Sequence, residues 1–206
     1  MPRAVVPLVA GEMYHVYNRG VDKRVVFQNK NDYLRFYLSL AYFNNQERTE
    51  TFNSAKLKFT NRKEPLVYIH SYALLPNHFH LLVEPLIDTG LSEFMKRVSN
   101  GYTAYFNEHN NRSGALFQGK YKRVHVDTDE YKNYLLAYIN ENHLVHGLPE
   151  PGEVYQTSKM HLTNQMKSIV INTSMHDIYN QNENTALAKD IYRRRLELKT
   201  LLFETE

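Results

Sequence analysis

An α+β fold built on an antiparallel sheet is the class this chain predicts, and three observations carry the prediction. Strand-like and helix-like runs alternate along the chain. Two strand-like runs follow each other directly, separated only by the turn at Pro76-Asn77. The 206 residues, 42% of them hydrophobic, suffice for one core and a small appendage. The element order reads strand, helix, strand, strand, helix, strand, then a further helix. That order suits a ferredoxin-like sandwich, an antiparallel sheet with helices packed on one face, plus a C-terminal helical extension.

Each element has a local reason. "MYHVYNRG" (13–20) alternates and ends in glycine, as a strand entering a turn does. "NKNDYLRFYLSLAYFN" (29–44) carries apolar residues at helical spacing, with Asn31 or Asp32 as the expected cap. Residues 45–64 are polar and long for a connection, so a hairpin or a partner contact is expected there. "PLVYIHSYALLP" (65–76) and "HFHLLVEP" (78–85) read as paired strands. Residues 90–110 read as a helix capped by Ser92, and "GKYKRVHVD" (119–127) as a strand. Residues 128–147 read as one helix, capped by Thr128 and stopped near Gly147.

The character changes after Pro149 and Pro151, which divides the chain into a domain over 1–150 and an extension over 151–206. Residues 152–183 are polar and carry no clear pattern. Residues 182–203 form an amphipathic helix pattern, with Leu187, Ile191, Leu198 and Leu202 on one stripe. Its Arg193–Arg195 run reads as a solvated face.

Composition removes several function classes. There are no cysteines, so disulfides, zinc-thiolate sites and thiol nucleophiles are excluded, and a cytoplasmic location is the default. No run is long enough to span a membrane, and the first residues lack the pattern of a signal peptide. The net charge of +3 permits a polyanionic partner. Sixteen tyrosines and no tryptophan suit stacking on bases, and equally a core.

The stretch "LLPNHFHLLVEP" (74–85) holds the sharpest signal. Residues two apart in a strand share a face, so His78 and His80 project together while Phe79 points away. Two imidazoles so placed can bind one metal ion; two polar side chains on a solvated sheet face give the same pattern. A metal needs further ligands. In "AYINEN", Tyr138 and Asn142 lie one helical turn apart, and the Asn142 carbonyl suits Mg²⁺ or Mn²⁺ beside imidazoles. The same residues also fit a core aromatic and a polar helix end.

Taken together, "YHVYNRGVDKRVVF", "YALLPNHFHLLVEP" and "GALFQGKYKRVHVDTDEYKNYLLAYINEN", in this order, resemble the HUH single-tyrosine transposases (IS200/IS605-like). Within them the chain most resembles the group associated with repetitive extragenic palindromes (REP). The resemblance spans roughly residues 12–147. It implies metal ligation by His78, His80 and Asn142, and a nucleophilic Tyr138. It further implies a divalent cofactor and a 5′-phosphotyrosine link to single-stranded DNA bearing a hairpin. An asparagine at 142 favours the palindrome-associated branch, for which a monomer is expected; the insertion-sequence branch has glutamine there and swaps helices in a homodimer. The chain departs from the branch after Asn142, reading His143, Leu144, Val145 and His146.

Lys120, Lys122 and Arg123 lie close enough in sequence to hold the DNA backbone, or are solvent-facing cations on an edge strand. Arg19 stands in the "RG" block and can bind phosphate or brace its loop. Tyr131 and Tyr134 are the fallback nucleophiles, and His125, His143 and His146 are candidates for supporting groups. Two other functions compete with strand transfer. One is a domesticated module that grips a DNA or RNA hairpin without cleaving. The other is a replication-initiator or relaxase-type nuclease, for which the order of tyrosine and histidine motifs is less suited.

Overall fold

The computed structural model describes residues 7–47, 51–58, 64–149, 156–163, 167–172 and 178–203, except the side chains of 55, 57, 58 and 198–203. Strands β1 (Met13–Arg19), β2 (Val67–Leu75), β3 (His78–Pro85) and β4 (Lys122–Val126) form one sheet in the order β2-β3-β1-β4. All neighbours are antiparallel, as expected of a ferredoxin-like sandwich. The helices are α1 (Lys30–Tyr42), α2 (Phe52–Lys58), α3 (Gly90–His109), α4 (Asp129–Asn140), α5 (Asn142–Val145), α6 (Lys159–Leu162) and α7 (Gln181–Phe203). Among the described residues no helix is long and apolar enough to cross a membrane.

Alternation along β3 sorts the two faces of the sheet. Phe79 is fully buried, with its ring 5.1 Å from Phe36 of α1 and 5.6 Å from Phe117. Tyr102 of α3 meets Phe36 edge-on at 5.0 Å and donates its hydroxyl to the Val26 carbonyl at 2.6 Å. Helices α1 and α3 therefore cover this face. The expectation of helices on one face alone is corrected, because α4 packs on the other. The reason lies in β2 and β3, which are buried on both sides: Ala73, Leu75 and Leu82 need cover beside His78, His80 and Ser71 on the α4 face.

A polar pin sets the seat of α4. Asn140 donates to Ser71 Oγ at 2.9 Å and accepts from Ser158, whose hydroxyl also accepts from the Tyr72 N–H at 2.9 Å. All these side chains are buried, so their mutual bonds select one rotation of the helix over the sheet.

Several local expectations shift. Helix α1 is capped by Asn29, not by Asn31 or Asp32, because the Asn29 side-chain Oδ1 accepts from the N–H groups of Asn31 and Asp32 at 2.9 and 3.3 Å. The Asp32 carboxylate instead accepts from the Gln28 N–H at 2.8 Å. Helix α3 starts at Gly90, after Thr89, which leaves Ser92 inside the first turn. Gly90 lies so close to the Leu66 carbonyl that a Cβ would sit 2.4 Å from its oxygen, so only glycine admits this entry. The described part of 45–64 holds helix α2, not a hairpin. The Phe52 ring lies 5.1 Å from Tyr42 and 3.2 Å from the Arg35 guanidinium, and this packing holds the short helix down.

The expected single helix over 128–147 is broken. Thr128 does cap it, accepting from the Tyr131 N–H at 3.1 Å. At Glu141 the backbone leaves helical geometry (φ −104°, ψ 29°), and α5 resumes at Asn142. The Glu141 carboxylate is fully buried and meets Lys159 Nζ at 3.0 Å, the Tyr179 hydroxyl at 3.1 Å and the Thr185 hydroxyl at 3.3 Å. Gly147 then turns the chain at φ +63°, a left-handed value that suits glycine.

The residues beyond 150 are joined to the core. Thr157 bridges Ala73 and Ile171 bridges Ile69, covering the outer edge of β2. Helix α7 packs along α4 and α5, with Ala188 and Ile191 buried against Val145 and with Leu187 beside them. The side chains of Leu198 and Leu202 lie outside the described residues, as do residues 152–155, 164–166 and 173–177.

Candidate active site

With Phe79 fixed in the core, His78 and His80 face α4. The neighbouring strand β1 adds to the same face. Tyr17 is the cross-strand partner of His80, Arg19 that of His78, and His15 follows two residues before Tyr17. A cleft of about 710 Å³ opens at this end of the sheet. His78, His80, Tyr138, Arg19, Lys122 and Arg195 are among its walls.

The hydrogen bonds orient both imidazoles. His78 Nδ1 lies 2.6 Å from the Asn77 Oδ1 acceptor, so it donates there and leaves Nε2 unengaged. His80 Nδ1 lies 2.9 Å from His15 Nε2, and its own Nε2 is buried with no partner. The two rings stand 5.1 Å apart, edge to face. Burial holds both rings neutral. It lowers His78 to about 4, with the charges of His146 and Arg19 adding to the effect. Burial also takes His80 well below its ordinary value, helped by His15, His78 and His146. His15 falls to about 4 through burial. Neutral imidazoles are the form that ligates metals.

The Tyr138 ring lies 5.3 Å from His80, edge-on at 89°. Burial raises its phenol above the ordinary value, and the nearby Arg195 charge is the largest influence in the opposite direction. Asn142 lies just behind, on the wall of an adjoining hollow of about 290 Å³ that shares Leu75, Pro76 and Leu148 with the main cleft. Its amide donates to the Tyr138 carbonyl at 3.0 Å, and its Oδ1 is buried without a partner. Among the described residues no three His, Cys, Asp or Glu side chains group as a metal site. Two imidazoles face the cleft, and the Asn142 carboxamide lines the adjoining hollow. Of these groups, His80 Nε2 and Asn142 Oδ1 are buried and unsatisfied, a costly state that a cation relieves. The residue types fit a divalent ion.

The basic candidates separate. Lys122, paired with Tyr17, stands on the cleft side of β4, and Arg19 stands on its rim. Lys120 is exposed in the loop before β4. Arg123 points to the opposite face, where its guanidinium lies 5.7 Å from the Tyr14 ring. His125 is on that face too and meets Glu12 at 2.9 Å. His143 lies near Glu141, at 3.9 Å, whereas His146 lines the cleft with its ring 5.8 Å from His78. Tyr131 and Tyr134 continue from Tyr138 as a stack along α4, with rings 6.2 and 5.9 Å apart, and neither lines the cleft.

Sequence reasoning passes over His15, Asn77 and Arg195. Asn77 reads as turn chemistry, although its place directly before His78 is a usable signal. His15 shares the alternation of Tyr17 and Arg19, but its contact with His80 depends on a strand order that spacing does not give. Arg195 is exposed, as the solvated reading expects, and it also lines the cleft. Arg193 and Arg194 both pair with Asp190, while Arg195 turns into the cleft.

The chain is similar to known proteins by family model and by fold. A family model described as a transposase, IS200-like, matches residues 40–142, half of the chain and a span that contains His78, His80, Tyr138 and Asn142. No curated protein matches the sequence at a significant level. Among solved structures, a REP-associated tyrosine transposase bound to a REP hairpin shares the fold with a TM-score of 0.53 at 13% identity. The alignment covers 84% of this chain and 96% of that one.

Proposed function

The chain belongs to the IS200-like transposase family, and from that premise we propose that it nicks and rejoins single-stranded DNA beside hairpins. The observation that carries this reading is the meeting of two neutral imidazoles and one phenol in a cleft with a cationic rim.

In this reading Tyr138 is the nucleophile. Its oxygen bonds to phosphorus, the P–O3′ bond breaks, the phenol gives up its proton and the leaving 3′ oxygen takes one up. The products are a 5′-phosphotyrosine and a free 3′-hydroxyl. Attack by another 3′-hydroxyl reverses the step and joins strands without ATP, because the phosphotyrosine ester keeps the bond's energy. A free phenol has a pKa of about 10 and is a weak nucleophile at neutral pH, so the site must supply electrostatic help. His78 and His80 through Nε2, and Asn142 through Oδ1, would hold the divalent ion, Mg²⁺ or Mn²⁺. When bound, the ion polarises the scissile phosphate and offsets charge on the leaving oxygen.

The remaining residues hold the strand. Arg19 and Lys122 take phosphates flanking the reactive one, and the exposed Lys120 extends that rim. In this reading Arg123, on the far side of the same edge strand, would contact the hairpin stem and not the scissile bond. The hairpin in the solved relative supports a hairpin as the ligand here. Tyr138, the two histidines and Asn142 come from one copy of the chain, which supports a monomer as the active unit. The absence of cysteine and a DNA substrate together support a cytoplasmic site of action.

The test is a denaturing gel of labelled, hairpin-bearing single strands incubated with the protein and Mn²⁺. A covalent protein–DNA band and a shorter strand with a free 3′-hydroxyl are expected. Both disappear in Tyr138→Phe while binding persists. Tight hairpin binding with no adduct from the unaltered protein would replace this reading with a non-cleaving hairpin module.

A further inference from the structure

Three consecutive arginines on α7 meet different fates. Arg193 engages Asp190 and lies 4.0 Å from Glu197, and Arg194 binds Asp190 at 2.7 Å. All three side chains are exposed, and what separates them is what each one faces. Arg195 has no carboxylate partner among the described residues. Its Nη1 lies 3.5 Å from the Val145 carbonyl, and the side chain lines the cleft that holds Tyr138. The described lining of that cleft contains Arg19, Lys122 and Arg195 and no aspartate or glutamate. Cations gathered in a concave site without acids select an anion. A guanidinium presents a fixed fork of donors that matches phosphate oxygens, which an ammonium does not. Arg19 enters from the sheet and Lys122 from its edge, whereas Arg195 comes from the helix packed on α4, the element that carries Tyr138.

We infer that Arg195 binds the phosphate that Tyr138 attacks, so that α7 supplies a catalytic side chain to the site. The inference rests on the strand-transfer reading and assigns one further residue to it. Arg195 donates to non-bridging phosphate oxygens as the tyrosine oxygen bonds to phosphorus and the P–O3′ bond breaks. Its charge is fixed, so its donors are in place when negative charge builds on those oxygens.

Two measurements test this. In the first, single-turnover adduct formation at saturating strand is compared for the unaltered chain, Arg195→Ala, Arg195→Lys and Arg193→Ala. The expected result is a slowing of about 100-fold in Arg195→Ala, a smaller loss in Arg195→Lys, no change in Arg193→Ala, and partial rescue of Arg195→Ala by added guanidinium ion. Arg195→Lys keeps the test valid if the alanine variant folds poorly. Equal rates in the unaltered chain and both Arg195 variants overturn the inference. In the second, strand affinity is measured against salt in the Tyr138→Phe background. Removing Arg195 there lowers the slope of log affinity against log salt by about one; an unchanged slope overturns the inference. This second arm reads out without cleavage, so loss of the phosphate contact and failure of the strand-transfer reading give different results.

Discussion

His80 uses its two ring nitrogens differently. Nδ1 meets His15 at 2.9 Å, and Nε2 stays buried and unsatisfied. In the proposed reading a divalent ion meets that second nitrogen and removes the cost. In the same reading His15 would orient the ring without touching the ion, and partners of that kind are worth about 10–100-fold in metal affinity. Calorimetric titration with Mn²⁺ is therefore expected to show loss of binding in His80→Ala and a drop of that size in His15→Ala. An unchanged affinity in His15→Ala would mean that the histidine pair is only packing. The placement of the proposed donors is legible in the sequence, because strand and helix periods put His78 with His80 and Tyr138 near Asn142. The groups that orient them are not. The His15–His80 contact joins strands far apart in sequence, and Arg195 becomes visible only once α7 is seated on α4.

The break between α4 and α5 sits between the proposed nucleophile and the proposed carboxamide donor. The two asparagines of "AYINENHLV" weaken the helix but do not fix where it breaks. What ends α4 is remote: the buried Glu141 carboxylate is drawn to Lys159, Tyr179 and Thr185, all beyond residue 150. A buried carboxylate that loses its cation is strongly destabilised. Lys159→Met is thus expected to cost about 3 kcal/mol in urea denaturation. A change within error would show that Glu141 is satisfied by its hydroxyl partners alone. Caps fare better than the break, as Thr128 shows. The start of α3 fails because it is set by the close approach of Gly90 to Leu66, a tertiary contact.

Across the whole molecule, the order of strands and helices in the sequence gives the sheet its ferredoxin-like topology. It does not reveal that helices cover both faces, since that follows from the two-sided burial of β2 and β3. Enclosing one end of the sheet this way also buries several histidines, and that has a global consequence. His15 and His78 have folded values of about 4 against an ordinary 6.5, and His80 is lowered as well. Between those values the unfolded chain binds protons that the folded chain does not. Stability is thus complete above about pH 6.5 and is lost as pH falls toward about 4. Melting temperature followed against pH, without added metal, is expected to fall across that window, with a shallower fall in His15→Gln. An equally steep fall in that variant would assign the acid sensitivity to other groups.

The central claim is that Tyr138 becomes covalently linked to DNA. The most direct measurement is mass spectrometry of the protein after reaction with a hairpin-bearing strand and Mn²⁺, followed by nuclease and protease digestion. The expected product is a nucleotide joined through its 5′-phosphate to the peptide containing Tyr138, with the mass placed on that residue. A nucleotide on Tyr131 or Tyr134, or none on any tyrosine of a protein that binds the strand, would contradict it.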